Sequence, residues 1–278
     1  MTDTPAKPVL LTGASGALGR DLVKTHGALG WPLVQTDIAP YPHTLPEGAA
    51  FVRADLADGV TMLRLAEGCG AIIHMGGVSV ERPFEEVIGP NIRGLYHIYE
   101  AARREKARVI FASSNHSVGF HERTESLPAE TAFLPDGYYG LSKAYGELMG
   151  RMYWFKHGVE SVNVRIGSAT PEPVNARMLA SWLSYADFSR LVERAVLTPS
   201  VGCVAIWGAS KNARMTWWRD DARDALGWAP VDSADPFAGQ LAGAVSGDPV
   251  EERYMGGAYC SIEYSRAQPA PVWGGSND

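Results

Sequence analysis

Residues Thr12-Gly13-Ala14-Ser15-Gly16-Ala17-Leu18-Gly19 constrain this chain more than any other stretch. They follow a short apolar run, Pro8–Thr12, and open into a helical pattern over Leu18–Leu29. A strand that ends in three spaced glycines and turns directly into a helix is the fingerprint of a dinucleotide site. Gly13 permits the tight turn. Gly16 lets backbone N–H groups approach a pyrophosphate. Gly19 lets the helix sit close to the sheet. Ala17 and Leu18 start the helix, at the positive end of its dipole, where phosphate is favoured.

Beyond this turn the same alternation of strand and helix continues. Short β-rich runs at Pro32–Asp37, Phe51–Ala54, Ala71–Met75, Arg108–Ser113 and Ser161–Ile166 are nearly continuous in apolar character. That is how strands read when a parallel sheet is covered on both faces. Helical stripes occupy Phe84–Arg104 and Tyr138–His157 between them. The pattern predicts an α/β fold, a Rossmann-type doubly wound parallel sheet, over residues 1–167. After Gly167 a proline-bearing loop leads to a helix over Met178–Val196, a strand over Val201–Trp207 and a short helix over Arg219–Leu226. Residues 168–278 are expected to form a small C-terminal substrate cap that does not fold independently. The tail beyond Pro249 is glycine-rich and carries no readable period.

Charge and cysteine usage narrow the function. With 25 basic and 31 acidic side chains the net charge is −6, and no basic block is present, which argues against a nucleic-acid binder. No apolar stretch approaches the ~18 residues of a membrane span, so no membrane partner is expected. Cys69, Cys203 and Cys260 are too far apart for a disulfide framework or a metal knuckle, and fit a cytoplasmic protein. His116 and His121 lack zinc spacing, so no metal is expected.

The second strand ends in Asp37, 18 positions after Gly19. A carboxylate there accepts from ribose hydroxyls and repels a 2′-phosphate, which favours NAD over NADP. Asp55 and Leu56, after the third strand, either meet the adenine or serve as turn residues. Tyr139 and Lys143 stand one helical turn apart at the start of the long helix. A phenol with a pKa of ~10 is a poor base at neutral pH. An ammonium beside it favours the phenolate and lets the pair exchange a proton with a substrate hydroxyl. The fifth strand ends in Ser113-Ser114-Asn115-His116, at the carboxyl edge where ligands bind in such sheets. Alternation does not separate the two serines. Ser114, nearer the strand end, is the better candidate for the hydroxyl that orients the reacting oxygen. Asn115 and His116 are candidates for contacting substrate hydroxyls.

The glycine fingerprint, the Ser–Tyr–Lys set and the aspartate after strand two resemble the extended branch of the short-chain dehydrogenase/reductase superfamily. Three stretches are similar, more specifically, to its uronate dehydrogenase family: Gly76–Val87 (GGVSVERPFEEV), Phe111–Gly119 with Tyr138–Lys143 (FASSNHSVG and YYGLSK), and Val164–Leu179 (VRIGSATPEPVNARML). The similarity runs on through WGAS at Trp207–Ser210 and LGW at Leu226–Trp228. It implies oxidation of the C1 hemiacetal of D-galacturonate or D-glucuronate with NAD, giving an aldarolactone. It further implies that Ser79, Ser114, Asn115, His116, Tyr139, Ser168 and Arg177 bind the sugar acid. Val78 and Ile166 flank the cofactor, and Asn91 braces the neighbouring strand. A guanidinium at Arg177 matches a substrate carboxylate bidentately.

Two other readings share these motifs. A nucleotide-sugar epimerase would make no net NADH, and the 111 residues after Gly167 leave little room for its nucleotide. A non-enzymatic dinucleotide-binding regulator would not need the Tyr139/Lys143 pair. The apolar stripes of the two long helices are suited to pairing in a homo-oligomer.

Overall fold

The structure is a computed structural model that describes residues 4–45 and 49–270. It is built on one seven-stranded sheet. In chain order the elements are β1 (Val9–Thr12), α1 (Ala17–Ala28), β2 (Leu33–Asp37), β3 (Ala50–Arg53), α2 (Gly59–Leu65) and β4 (Ala71–His74). Then come α3 (Phe84–Val87), α4 (Leu95–Glu105), β5 (Arg108–Ser114), α5 (Tyr138–His157) and β6 (Ser161–Ile166). The last elements are α6 (Met178–Ser181), α7 (Tyr185–Leu197), β7 (Cys203–Gly208), α8 (Arg223–Leu226), α9 (Ala238–Leu241), α10 (Pro249–Arg253) and α11 (Ala258–Ser261). The strand order is β3-β2-β1-β4-β5-β6-β7, and every pairing is parallel. This is the expected doubly wound α/β sheet.

Alternation along each strand divides the core between two faces. Val9 and Leu11 of β1 point with Leu22, Val23, Leu191 and Val192 toward α1 and α7. Leu10 points the other way, with Met62, Ile98, Tyr99, Met149 and Tyr153 under α2, α4 and α5. Both faces are buried, which is why the strands read as continuous apolar runs. A third cluster joins Trp207, Trp217 and Trp218 to Val118, Leu127 and Met255, tying the late part of the chain to the sheet edge.

Three expectations need correction. The stripe over Phe84–Arg104 is not one regular helix: a π-helical stretch, Ile88–Gly94, joins α3 to α4. The helix expected over Met178–Val196 is two helices. Trp182 is extended and bridges Ser168, and Asn212 takes the freed carbonyls of Ala180 and Trp182. Ser184 then caps α7 by accepting from Asp187 N. Residue 167 is also no boundary of the sheet, since β7 and α7 beyond it belong to the sheet and its cover.

Two buried histidines give the fold an acid limit. His26 on α1 is 1% exposed, packs 4.2 Å from the Trp31 ring, and its Nε2 has no hydrogen-bond partner among the described residues. Burial pushes its pKa down to about 4 and that of His74 down to about 3, from 6.5. The folded chain therefore holds neutral rings while the unfolded chain takes up protons below pH 6.5. Stability present above 6.5 is lost as pH falls toward 4. By pH 5 each ring costs about 2 kcal/mol. His26→Gln should flatten the fall in Tm between pH 6.5 and 5; an unchanged slope would clear His26 of that role.

Candidate active site

The carboxyl ends of β1 and β4 lie side by side while their following segments leave toward opposite faces. A crevice opens at such a switch point. Here it is a cavity of about 930 Å³ that runs from the glycine turn to the segment after β6. Thr12 at the end of β1, and Ser114 and Ile166, paired at the ends of β5 and β6, line it.

At one end stands the glycine turn. Gly13 has φ +73°, and a Cβ there would lie 2.6 Å from the Met75 backbone. A Cβ on Gly19 would lie 2.1 Å from Gly13 O. Both positions therefore demand glycine. Gly16 is the N-cap of α1, and no side chain caps that helix. The first-turn N–H groups, at Ala17, Leu18 and Gly19, thus have no intrahelical partner, and these residues line the cavity. Asp37 lines it too. Its Oδ2 accepts from Ser15 N at 2.9 Å and its Oδ1 from Ala39 N at 2.9 Å, leaving lone pairs for a diol. Asp55 and Leu56 are in the same wall. Asp55 Oδ1 accepts from Ala57 N in a turn, whereas the true cap of α2 is Asp58. These features fit the adenosine and pyrophosphate of NAD: an uncapped helix start, a close-approach glycine turn, and a carboxylate where a 2′-phosphate would sit.

The structure brings Tyr139, Lys143, Ser114, His116, Ser79, Ile166, Ser168 and Arg177 together in the lining of this same cavity. Ser113 is separated from Ser114 by its bond: its hydroxyl donates to Glu147 at 2.5 Å, and Glu147 is locked to buried Arg165 at 2.8 Å. The Ser114 hydroxyl instead stays at the strand end, accepting from His116 N at 3.2 Å. The Lys143 ammonium lies 5.4 Å from the Tyr139 ring centre and 5.0 Å from that of Phe111. Burial pushes Lys143 down to about 8. Burial also dominates at Tyr139 and raises its phenol above the ordinary range, with the Ser114 hydroxyl pulling the other way. The expected lowering of the phenol by the ammonium is not found: desolvation raises it, and the Ser114 hydroxyl is the group that lowers it.

Arg177 precedes α6. Its Nε donates to Met255 O at 2.7 Å and its Nη1 to Ser168 Oγ at 3.1 Å. Burial, and then the Arg123 charge, push it down to about 10. No carboxylate forms an ion pair with it among the described residues. Asn115 is not among the residues that line the cavity. It is fully buried; with its amide oriented to match donors to acceptors, it donates to Ile166 O at 3.0 Å and accepts from Arg177 Nη2 at 2.6 Å. It steadies Arg177.

Two further ties hold the wall together. Glu81, in the loop after β4, accepts from Tyr138 N and Tyr139 N at 2.9 Å each and so caps α5. Asn91 bonds the Val78 N–H and carbonyl and also reaches Ser142 Oγ on α5, at 2.8, 2.9 and 2.9 Å. Its expected bracing role therefore extends from the loop to the helix.

Sequence reasoning missed Glu81, Asp136 and Tyr259. Tyr259, in the unreadable tail, lines the cavity and stacks on His116 at 3.9 Å and 16°. The tail reaches this place through Met255 N to His121 O and Gly256 N to Gly119 O, both 2.9 Å.

Residues 9–215 match the model of the NAD dependent epimerase/dehydratase family. A uronate dehydrogenase of Pseudomonas syringae pv. tomato is 47% identical over 241 residues, 86% of this chain and 87% of that one. The structure of a glucuronic acid dehydrogenase from Chromohalobacter salexigens superposes with a TM-score of 0.86 at 40% identity, covering 91% of this chain and 96% of the other. A mutant uronate dehydrogenase from Agrobacterium tumefaciens complexed with NAD gives 0.85 at 41% identity, over 93% and 97%.

Proposed function

The chain belongs to the NAD dependent epimerase/dehydratase family, alongside its uronate dehydrogenases, and from that premise we propose that it oxidises a hexuronic acid at C1 with NAD. The observation that supports the reading is a single cavity lined by the Ser114–Tyr139–Lys143 set and by a guanidinium with no carboxylate ion pair among the described residues.

Each residue then has a task. Arg177 takes the sugar carboxylate through charge-assisted bonds, with Ser168 and Asn115 fixing its plane. Ser114 donates a hydrogen bond to the C1 oxygen and holds it toward Tyr139. Lys143, pushed down to about 8 by burial, takes the phenol proton in its neutral form as the Tyr139 oxygen receives the proton of the C1 hydroxyl. Ser79 and His116 read ring hydroxyls. Bound NAD, held by Gly13, Gly16, Ala17, Leu18, Gly19 and Asp37 with Ile166 beside it, supplies the acceptor for the hydride leaving C1. The product is the aldarolactone.

Two coarser features complete the reading. Leu141, Leu148, Met152 and Phe155 form an exposed apolar face of α5, and a second copy of the chain would cover it. The three cysteines are free, and no described helix is long and apolar enough to cross a membrane; both features are compatible with the cytoplasm.

The test is direct. Mixing the protein with NAD and galacturonate or glucuronate should produce NADH absorbance. A flat trace with both sugars would end this reading, and an epimerase would give that flat trace.

A further inference from the structure

We propose that Asp136 is a positioning residue for this reaction, acting through His116 to fix which imidazole nitrogen faces the sugar acid. The inference rests on the reading of the site as a uronate dehydrogenase. Asp136 lies just before α5, and its side chain is wholly buried. Its Oδ2 is 2.6 Å from His116 Nδ1, and its backbone N–H donates to His116 O at 3.3 Å. The other oxygen, Oδ1, has no hydrogen-bond partner among the described residues. The Cys260 thiol is 3.9 Å from Oδ2 and adds little.

The carboxylate is caged by three parts of the chain. A Cβ on Gly119, after β5, would lie 1.9 Å from Oδ2, and one on Gly256, in the tail, 2.0 Å from it. A Cβ on Gly140 of α5 would lie 2.9 Å from Oδ1. Nothing larger than glycine fits at these points, so the carboxylate has one place to be. Burying a carboxylate is costly unless it is partnered, and His116 is the partner found here.

The consequence falls on the imidazole. An ionised carboxylate can only accept, so the proton of the ring sits on Nδ1. Nε2 of a neutral His116 is then an acceptor at the cavity wall. Tyr259, stacked on one face, and Tyr139, at 5.8 Å edge-on, hold the ring plane. An acceptor suits a sugar hydroxyl and rejects a sugar carboxylate. His116 and Arg177 thereby divide the substrate: hydroxyl to one, carboxylate to the other. Without Asp136 the ring is free to adopt the other tautomer, which offers the wrong group.

A double-mutant cycle tests this. D136A, H116A and the double variant are assayed with galacturonate and NAD, with NAD affinity measured separately by fluorescence titration. Each single change should raise KM about tenfold, as expected for loss of one charge-assisted or oriented hydrogen bond. The double variant should be within about twofold of H116A, and NAD affinity should not move. D136N keeps an acceptor for Nδ1–H and should recover most of the KM. Multiplying losses in the double variant, or a wild-type KM in D136A, overturns the proposal. Should D136A fail to bind NAD, ¹⁵N NMR of the wild-type imidazole decides, with the His116 signal assigned by its absence in H116A. A protonated Nδ1 with a bare Nε2 is expected, and the reverse overturns the proposal. A wild type inert to both uronates sinks the reaction assignment, whereas an active wild type with a multiplicative cycle sinks the role of Asp136 alone.

Discussion

Tyr139→Phe is expected to lower kcat for galacturonate by about a thousandfold, within the range over which a positioned acid or base contributes. Tyr139 stands beside both the strand-end Ser114 and Lys143, and phenylalanine keeps its packing against His116 and Tyr259. The glycine turn and Asp37 are untouched, so the dissociation constant for NAD should stay within about twofold. Near-wild-type turnover would remove Tyr139 from proton transfer and with it the proposed chemistry. Lowered turnover together with lost NAD binding would instead mean that α5 had moved.

Arg177→Ala is expected to act on binding. A charge-assisted pair is worth about 1.5–3 kcal/mol, roughly ten- to a hundredfold in KM. Arg177→Lys keeps the charge but loses the planar fork, and should fall between wild type and alanine. The contrast between substrates is sharper still. A neutral sugar should lose little from either change, because it has no carboxylate to place. A uronate KM that does not move would show that the carboxylate is held elsewhere. Arg177 also donates to Met255 O, so a thermal scan should accompany the kinetics to show that the tail has stayed docked.

How much of the molecule was legible in its sequence depends on which forces were local. The strands showed because both sheet faces are covered, and α5 ran over Tyr138–His157 as expected because Gly137 and Gly158 bound it. The glycine turn showed because Gly13 and Gly19 answer backbone crowding within a few residues or across one strand pair. The break at Trp182 did not show, since it is made by Asn212, thirty residues away. That Asn115 is fully buried and outside the cavity lining was not legible, since the 3-10 turn Asn115–Val118 that begins with it has no repeating apolar period. Asp136 and Tyr259 meet His116 from 20 and 143 positions away, and no spacing rule joins them. The tail was unreadable because backbone bonds to residues 119–123, and not an apolar period, hold it.

The double tie between the loop after β4 and α5 has a bearing on motion. Glu81 grips the start of the helix, and Asn91 grips both the loop and Ser142. Ser79 and Tyr139 therefore ride on one body. Displacement of that body against the sheet would shift both together, so the separation between the Ser79 hydroxyl and the Tyr139 phenol should vary less than the position of either. On the proposed reading, jitter would be diverted from the spacing of the groups that hold the sugar and move its proton into a motion those groups share.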